Sequence, residues 1–150
     1  MDSPADQVVD YLESLGLLAV AVVPAPAVRI RTVDDMVASS SEAWRGFVGT
    51  EPTDPDNCVT VYDTGGAQAT ADVPLYDPTI QIRVRSRKYA EGYAKALELR
   101  DALTGPTGFT LGDWHYAGFW IVSDVAKIGR DDNNRELFTV NFRAMRQRVA

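Results

Sequence analysis

The sequence is poor in the side chains that most often do chemistry. It has one cysteine, Cys58, and one histidine, His115. A single thiol excludes an internal disulfide and agrees with a reducing compartment without requiring one. Zinc centres draw on several Cys or His, and a nucleophilic pair needs a thiol or hydroxyl beside its base. Cys58 and His115 lie 57 positions apart, so only the fold can bring them together. The ordinary role of a lone free Cys is that of a small buried hydrophobe. Basic residues are also in deficit, 15 against 21 acidic, for a net charge of −6. Phosphate recognition needs a cationic footprint, so nucleic-acid binding is not expected of the chain as a whole, although a local basic stripe is still allowed. The longest apolar run, Leu17 to Val23, has seven residues and stops at Pro24, far short of the roughly 20 that span a bilayer. No basic segment precedes it, since the chain opens Asp2-Ser3-Pro4, so a secretory signal is not expected and the protein reads as soluble and intracellular.

Phosphate and metal motifs are missing as well. Gly65-Gly66 has neither a following Lys-Ser/Thr nor the G-x-G-x-x-G spacing, and reads as a turn. Asp131-Asp132-Asn133-Asn134 lacks the central Gly and distal Glu of a calcium loop and reads as a solvated hairpin tip. Asp54 and Asp56 sit in a Pro-rich loop with nothing to raise a carboxyl pKa, and read as solubilising residues.

What is present is a pattern of elements over a length suited to one domain, residues 1–150, with 45% hydrophobic content. Ser3, Pro4 and Asp6 form a helix start with a capping box; Val8, Val9, Leu12 and Leu15 follow at helical spacing, and Gly16 stops the helix. Residues 17–33 are apolar and β-leaning, but Pro24 and Pro26 restrict them to an edge strand or an extended connector. Residues 34–43 admit a helical turn followed by a loop. Trp44 to Val48 reads as a short strand and Gly49 to Asn57 as a surface loop. Cys58 to Tyr62 reads as a strand stopped by Gly65-Gly66, and Ala67 to Asp77 as a long polar loop.

Thr79 to Arg85 alternates strictly. Ile80, Ile82 and Val84 point one way, and Gln81, Arg83 and Arg85 the other. Ser86 is placed to cap the next helix, whose apolar arc is Tyr89, Tyr93, Ala96, Leu97, Leu99 and Leu103. Glu91, Lys95, Glu98 and Ala102 form its opposite face, with Glu91 and Lys95 in the favourable i,i+4 order. Arg100 falls in the apolar arc and needs an acidic partner or a path to solvent. Gly105-Pro106 ends the helix. Trp114 to Ile128 and Arg135 to Arg146 read as the two arms of a long hairpin with Gly129–Asn134 at its tip. These elements imply an α+β fold: a mostly antiparallel central sheet with helices packed on one face and a C-terminal β-hairpin.

The arginine strand is the one feature that suggests contact with a partner. Gln81, Arg83 and Arg85 share a strand face, and Arg87 follows at the helix start. Such a face is either the wet side of a half-buried sheet, the default for antiparallel sheets, or a contact with acidic groups on another subunit. By pattern alone the wet face is the simpler reading.

The run Pro55 to Gly66, followed by Ile80 to Ser86 and a Tyr-containing helix, resembles the minor capsid or tail terminator proteins of long-tailed bacteriophages. Gly129 to Arg135, leading to Asn141-Phe142-Arg143, is similar to that family's final hairpin, and the first helix stands in the expected place. The segment Leu17–Val33 is longer and more hydrophobic than the family pattern. The resemblance implies a single tail-terminator-like domain, without catalysis, cofactor or metal. It implies a virion protein, made in the host bacterial cytoplasm and located at the head-proximal end of the tail. There it forms a ring, typically six-fold, that ends tube polymerisation and docks the head. Its partners are then further copies of itself, the tail tube protein and the head-tail connector; DNA only passes through the lumen, and no membrane is involved. Gln81, Arg83, Arg85 and Arg87 become the expected subunit contact, and the Ala67–Asp77 loop and Gly129–Asn134 tip the expected contacts with tube or connector. Two other readings stand beside this one. The first is a neighbouring head-completion or tail-tube protein. The second is a small cytoplasmic enzyme or ligand-binding domain with a pocket of His115, Trp114, Tyr116 and Trp120.

Overall fold

The capping box at the start of the chain is formed. In the computed structural model, which describes residues 3–19, 43–67, 69, 72 and 74–149, helix α1 spans Pro4–Ser14. The Ser3 hydroxyl accepts from the Asp6 N–H at 3.1 Å, and the Asp6 carboxylate accepts from the Ser3 N–H at 3.0 Å. Each bond satisfies a backbone donor that has no partner within the helix. Ala5, Val8, Val9 and Leu12 are buried, whereas Leu15 lies at the C-cap and is exposed.

Six strands follow: β1 Arg45–Val48, β2 Cys58–Ala67, β3 Leu75–Ser86, β4 Phe109–Leu111, β5 Trp114–Arg130 and β6 Glu136–Arg148, with helix α2, Tyr89–Thr104, between β3 and β4. They form one sheet in the order β1-β2-β3-β6-β5-β4. The β1–β2 pairing is parallel and the other four are antiparallel. The expected α+β class and mostly antiparallel sheet are therefore present, and β5 and β6 make the C-terminal hairpin. The layered picture is too simple, because the mixed sheet curls into a half-barrel instead of lying flat under two helices. Val59, Val61, Ile80, Ile82, Val84, Phe138, Val140 and Phe142 fill one core with Val8 and Leu12 of α1 and Leu99 and Leu103 of α2. The expected inward face of β3 is thus the buried one.

Several local expectations are corrected. β2 does not stop at Gly65-Gly66 but runs through them to Ala67, with an irregularity between Asp63 and Gly65. Gly66 has φ +128, and a Cβ there would collide with the Asp77 carbonyl oxygen on β3. Glycine lets the strand continue at this point. Leu75 to Asp77 belong to β3, so the loop after β2 is shorter than expected. The helix cap of α2 is Lys88, without a side-chain bond; the Ser86 hydroxyl instead accepts from the Lys88 N–H at 3.2 Å. On α2 the expected faces are partly exchanged. Tyr89 and Tyr93 are exposed and Lys95 is buried, because the close Gly92–Phe138 contact sets the rotation of the helix on the sheet. Lys95 Nζ donates to the Leu17 carbonyl and to Glu98 at 2.8 Å, and Glu91 pairs with Lys88 instead. Arg100 does find acids, Asp101 and Asp124. Strand β4 was not expected. The readings of residues 20–42 lie outside the described residues; at their border Ala19 bridges to Arg45 in parallel.

Candidate assembly surface on the outer sheet face

β3 carries the arginine face on the side of the sheet away from the core, but its members have different environments. Arg85 is 2% exposed. The loop between β1 and β2 closes over it: its guanidinium donates to the Pro55 carbonyl at 2.7 Å and to the Thr53 and Asp56 carbonyls at 3.4 Å, with the Glu51 carboxylate 3.8 Å away. Arg135 reaches the same loop from the hairpin tip, donating to the Thr53 carbonyl at 2.8 Å and to Asp56 at 3.2 Å. Arg87 pairs with Asp56 from outside, its own side chain 72% exposed. Asp56, expected to be a solubilising residue, is thus an anchor shared by two arginines. The Asn57 side-chain oxygen accepts from the Arg87 N–H at 3.2 Å and completes the clasp.

Arg83, two residues before Arg85, is uncovered enough to meet a partner. Its side chain is 31% exposed, lies 5.3 Å from the centre of the Tyr62 ring, and has Glu51 only at 3.9 Å. Around it sit three buried polar atoms that bond to nothing among the described residues: Arg83 Nε, Glu51 Oε1 and Thr60 Oγ1. Native interiors rarely leave such groups alone. Beside them Gln81 donates to the Asn141 side chain at 3.1 Å, and Arg143 pairs with Asp77. Gln81, Arg83, Arg85 and Arg87 therefore share one surface, with Arg85 inside it and Arg83 and Arg87 at its opening.

The hairpin tip is also ordered by charge. Burial would push the Asp131 carboxyl up, but hydrogen bonds from the Arg135 N–H, the Arg135 guanidinium and the Asn133 N–H hold it below the usual range. With its oxygens so engaged, Asp131 serves the turn; among the described residues no group of three or more His, Cys, Asp or Glu is placed to hold a metal ion. Glu136 is held low chiefly by Lys127 and then by Arg130.

The Cys58–His115 pairing is not assembled. Cys58 is on β2 and His115 on β5, with β3 and β6 between them. Their registers meet β6 at Leu137, through Arg85, and at Gln147, ten positions and about 33 Å apart along the strand. Cys58 is fully buried, which pushes its thiol pKa up. The aromatic residues grouped with His115 also separate. Tyr116 is in the core with its hydroxyl donating to Gln7, Trp114 stacks on Arg146 at 4.0 Å, and Trp120 is 47% exposed. His115 itself lies 3.3 Å from the Thr110 hydroxyl.

The outer face of the curled sheet is thus a surface of paired charges with polar atoms left unpartnered among the described residues. The family model described as bacteriophage tail terminator protein matches residues 11–148, and the chain belongs to that family. It is accordingly a structural protein of the phage tail and a virion component. Among solved structures, a chain from the virion of a native gene transfer agent particle has the same fold. The TM-score is 0.52 at 17% identity, over 80% of this chain and 88% of that one. No curated protein matches. No described helix is long and apolar enough to cross a membrane.

The sequence reading missed Glu51 and Asp56 as partners of the arginine strand. The available signal was their number: Glu51, Asp54 and Asp56 directly precede a strand pair carrying Arg83, Arg85 and Arg87.

Proposed function

We propose that the protein forms a ring at the head-proximal end of the tail tube, where it ends tube polymerisation and presents the surface that docks the head. Family membership over residues 11–148 supports a tail-end role, and the observation that carries self-association is the open part of the arginine face. The Arg83 and Arg87 side chains are 31% and 72% exposed, and their guanidinium groups are open to acidic groups of a neighbouring subunit. The subunit contact is Gln81, Arg83, Arg85 and Arg87. Within it Arg83 and Arg87 reach across, while Arg85 holds the 51–57 loop that shapes the surface. The ring is six-fold. Its further partners are the tube protein and the head-tail connector, and DNA passes through its lumen, where the net charge of −6 limits sticking. No catalytic step and no cofactor belongs to this role.

The test is assembly of purified protein on purified tail tubes, followed by electron microscopy and light scattering over protein concentration. Rings at one tube end, with tube growth blocked there, are the expected result. Arg83→Glu with Arg87→Glu is expected to abolish the rings while the fold is kept. Rings that persist in this double variant refute the contact, and stacked tubes of the protein itself refute the terminator role in favour of a tube protein.

A further inference from the structure

Cys58 is fully buried although it points away from the core. Opposite residues of an antiparallel pair share a face, and Cys58 stands opposite Arg85. Val59 and Val61 of the same strand fill the core, so Cys58 and Thr60 belong to the outer face. This end of that face lies under the loop between β1 and β2, which takes the Arg85 guanidinium on its Thr53, Pro55 and Asp56 carbonyls. The Cys58 thiol feels the charges of Arg85, Glu51 and Arg135, that is, of the loop and of the two arginines that hold it. Arg135 fastens the loop from the hairpin tip. It is 5% exposed, grips the Thr53 carbonyl and Asp56, and donates from Nε to Asp131 at 2.7 Å. The other Asp131 oxygen accepts from the Asn133 and Arg135 N–H groups. One carboxylate therefore winds the tip and aims the guanidinium that grips the loop.

We infer that the 51–57 loop is a strap that opens and closes over Cys58 and Arg85, and that the Asp131–Arg135 pair at the hairpin tip is its latch. Two buried guanidinium groups lie beneath the strap, and the Thr53 carbonyl accepts from both. Buried like charges stay together only while acids and carbonyls offset them. Asp131 and Asp56 do so for Arg135, and Glu51 stands 3.8 Å from Arg85. Loss of the Asp131 charge leaves the closed strap over two cations with less to hold them, which favours the open form. The strap also carries Glu51, 3.9 Å from Arg83. A contact that loosens the tip is thereby felt on the arginine face, through a connection made of hydrogen bonds and ion pairs and not of the strands themselves.

The chain carries its own probe, since Cys58 is its only cysteine. A thiol reagent such as dithiobis(nitrobenzoate) reacts with a covered thiol only when the cover opens, so labelling of the folded full chain reads strap opening. In wild type the labelling rate should depend little on urea at low concentration, because a loop exposes little surface, and should steepen only where the whole fold unfolds. Asp131→Asn should raise the rate about tenfold or more, and Asp56→Asn, which weakens the grip from the loop side, should act in the same direction. Hydrogen exchange at the Arg87 N–H, which the Asn57 side chain of the strap accepts, should rise in step. Asp124→Asn breaks a pair with Arg100 in the same hairpin without touching tip or strap, and should label like wild type. Wild-type labelling that follows the global unfolding curve at every urea concentration overturns the strap, whether or not the variants fold. An unchanged rate in Asp131→Asn and Asp56→Asn, or an equal rise in Asp124→Asn, overturns the latch.

Discussion

Two arginines two positions apart on one strand do unlike work. Arg83 is exposed enough to be lost with little effect on the fold, since a long ion pair near the surface is worth less than about 1 kcal/mol. Arg85 is different: its removal leaves the Pro55 and Asp56 carbonyls without their donor beneath a closed loop, and the Thr53 carbonyl with Arg135 alone. Arg85→Ala should lower the unfolding free energy by about 2–3 kcal/mol in urea denaturation, and Arg83→Ala by less than about 1. Equal losses would mean that the loop is not held by Arg85. For the same reason charge reversal at Arg85 is a poor probe of assembly, because it places a carboxylate among carbonyls and beside Glu51. The alternation of β3 was legible in the sequence, and with it the side on which each arginine points. That a loop some 30 positions away covers Arg85 and leaves Arg83 open was not, because a contact over that distance leaves no periodic trace.

Among the elements, α1 was readable almost completely, since its capping box and apolar spacing are local. α2 was readable in its position but not in its rotation. The sequence offers two aromatic residues and a lysine, and amphipathic patterning places the aromatics inside. The contact that decides is Gly92, where a Cβ would lie 2.7 Å from the Phe138 ring and 2.9 Å from the Ser86 Cβ. The helix approaches the sheet at that glycine, which brings Lys95 under cover and leaves Tyr89 and Tyr93 on the rim. Gly92→Val is expected to destabilise the protein by about 2–3 kcal/mol, because overpacking at a closed contact outweighs any gain in helix propensity. A variant as stable as wild type in urea would show that the helix can lift without loss. The glycines of β2 illustrate the converse error. Gly-Gly reads as a turn from propensity alone, whereas Gly66 is needed for the close approach of β3 within a continuing strand.

For the whole molecule, the class followed from short-range patterns, but the strand order did not. Alternation identifies a strand and its buried face, while its neighbours are fixed by pairings such as β3 with β6, whose partners are some 60 residues apart. The same long-range pairing concentrates charge in the distal hairpin, and this has a consequence for acid stability. Asp124 is held low first by the Val125 N–H and then by Arg100, Glu136 first by Lys127 and then by Arg130, and Asp131 by the Arg135 bonds that outweigh its burial. For each, the folded pKa lies below the ordinary 3.8 of Asp or 4.5 of Glu. Depressed acids stabilise the fold fully above those ordinary values and lose that contribution as pH falls through the folded ones. The melting temperature should therefore be insensitive to these groups near neutrality and fall progressively below about pH 4.5. Hydrogen exchange at acid pH should show the hairpin tip opening before the β2–β3 centre. Glu136→Gln removes one of the three titrations, so its melting temperature should be lower than wild type at pH 7 and converge with it at pH 3. Parallel curves across that range would mean that the Lys127 and Arg130 pairs contribute nothing to the hairpin.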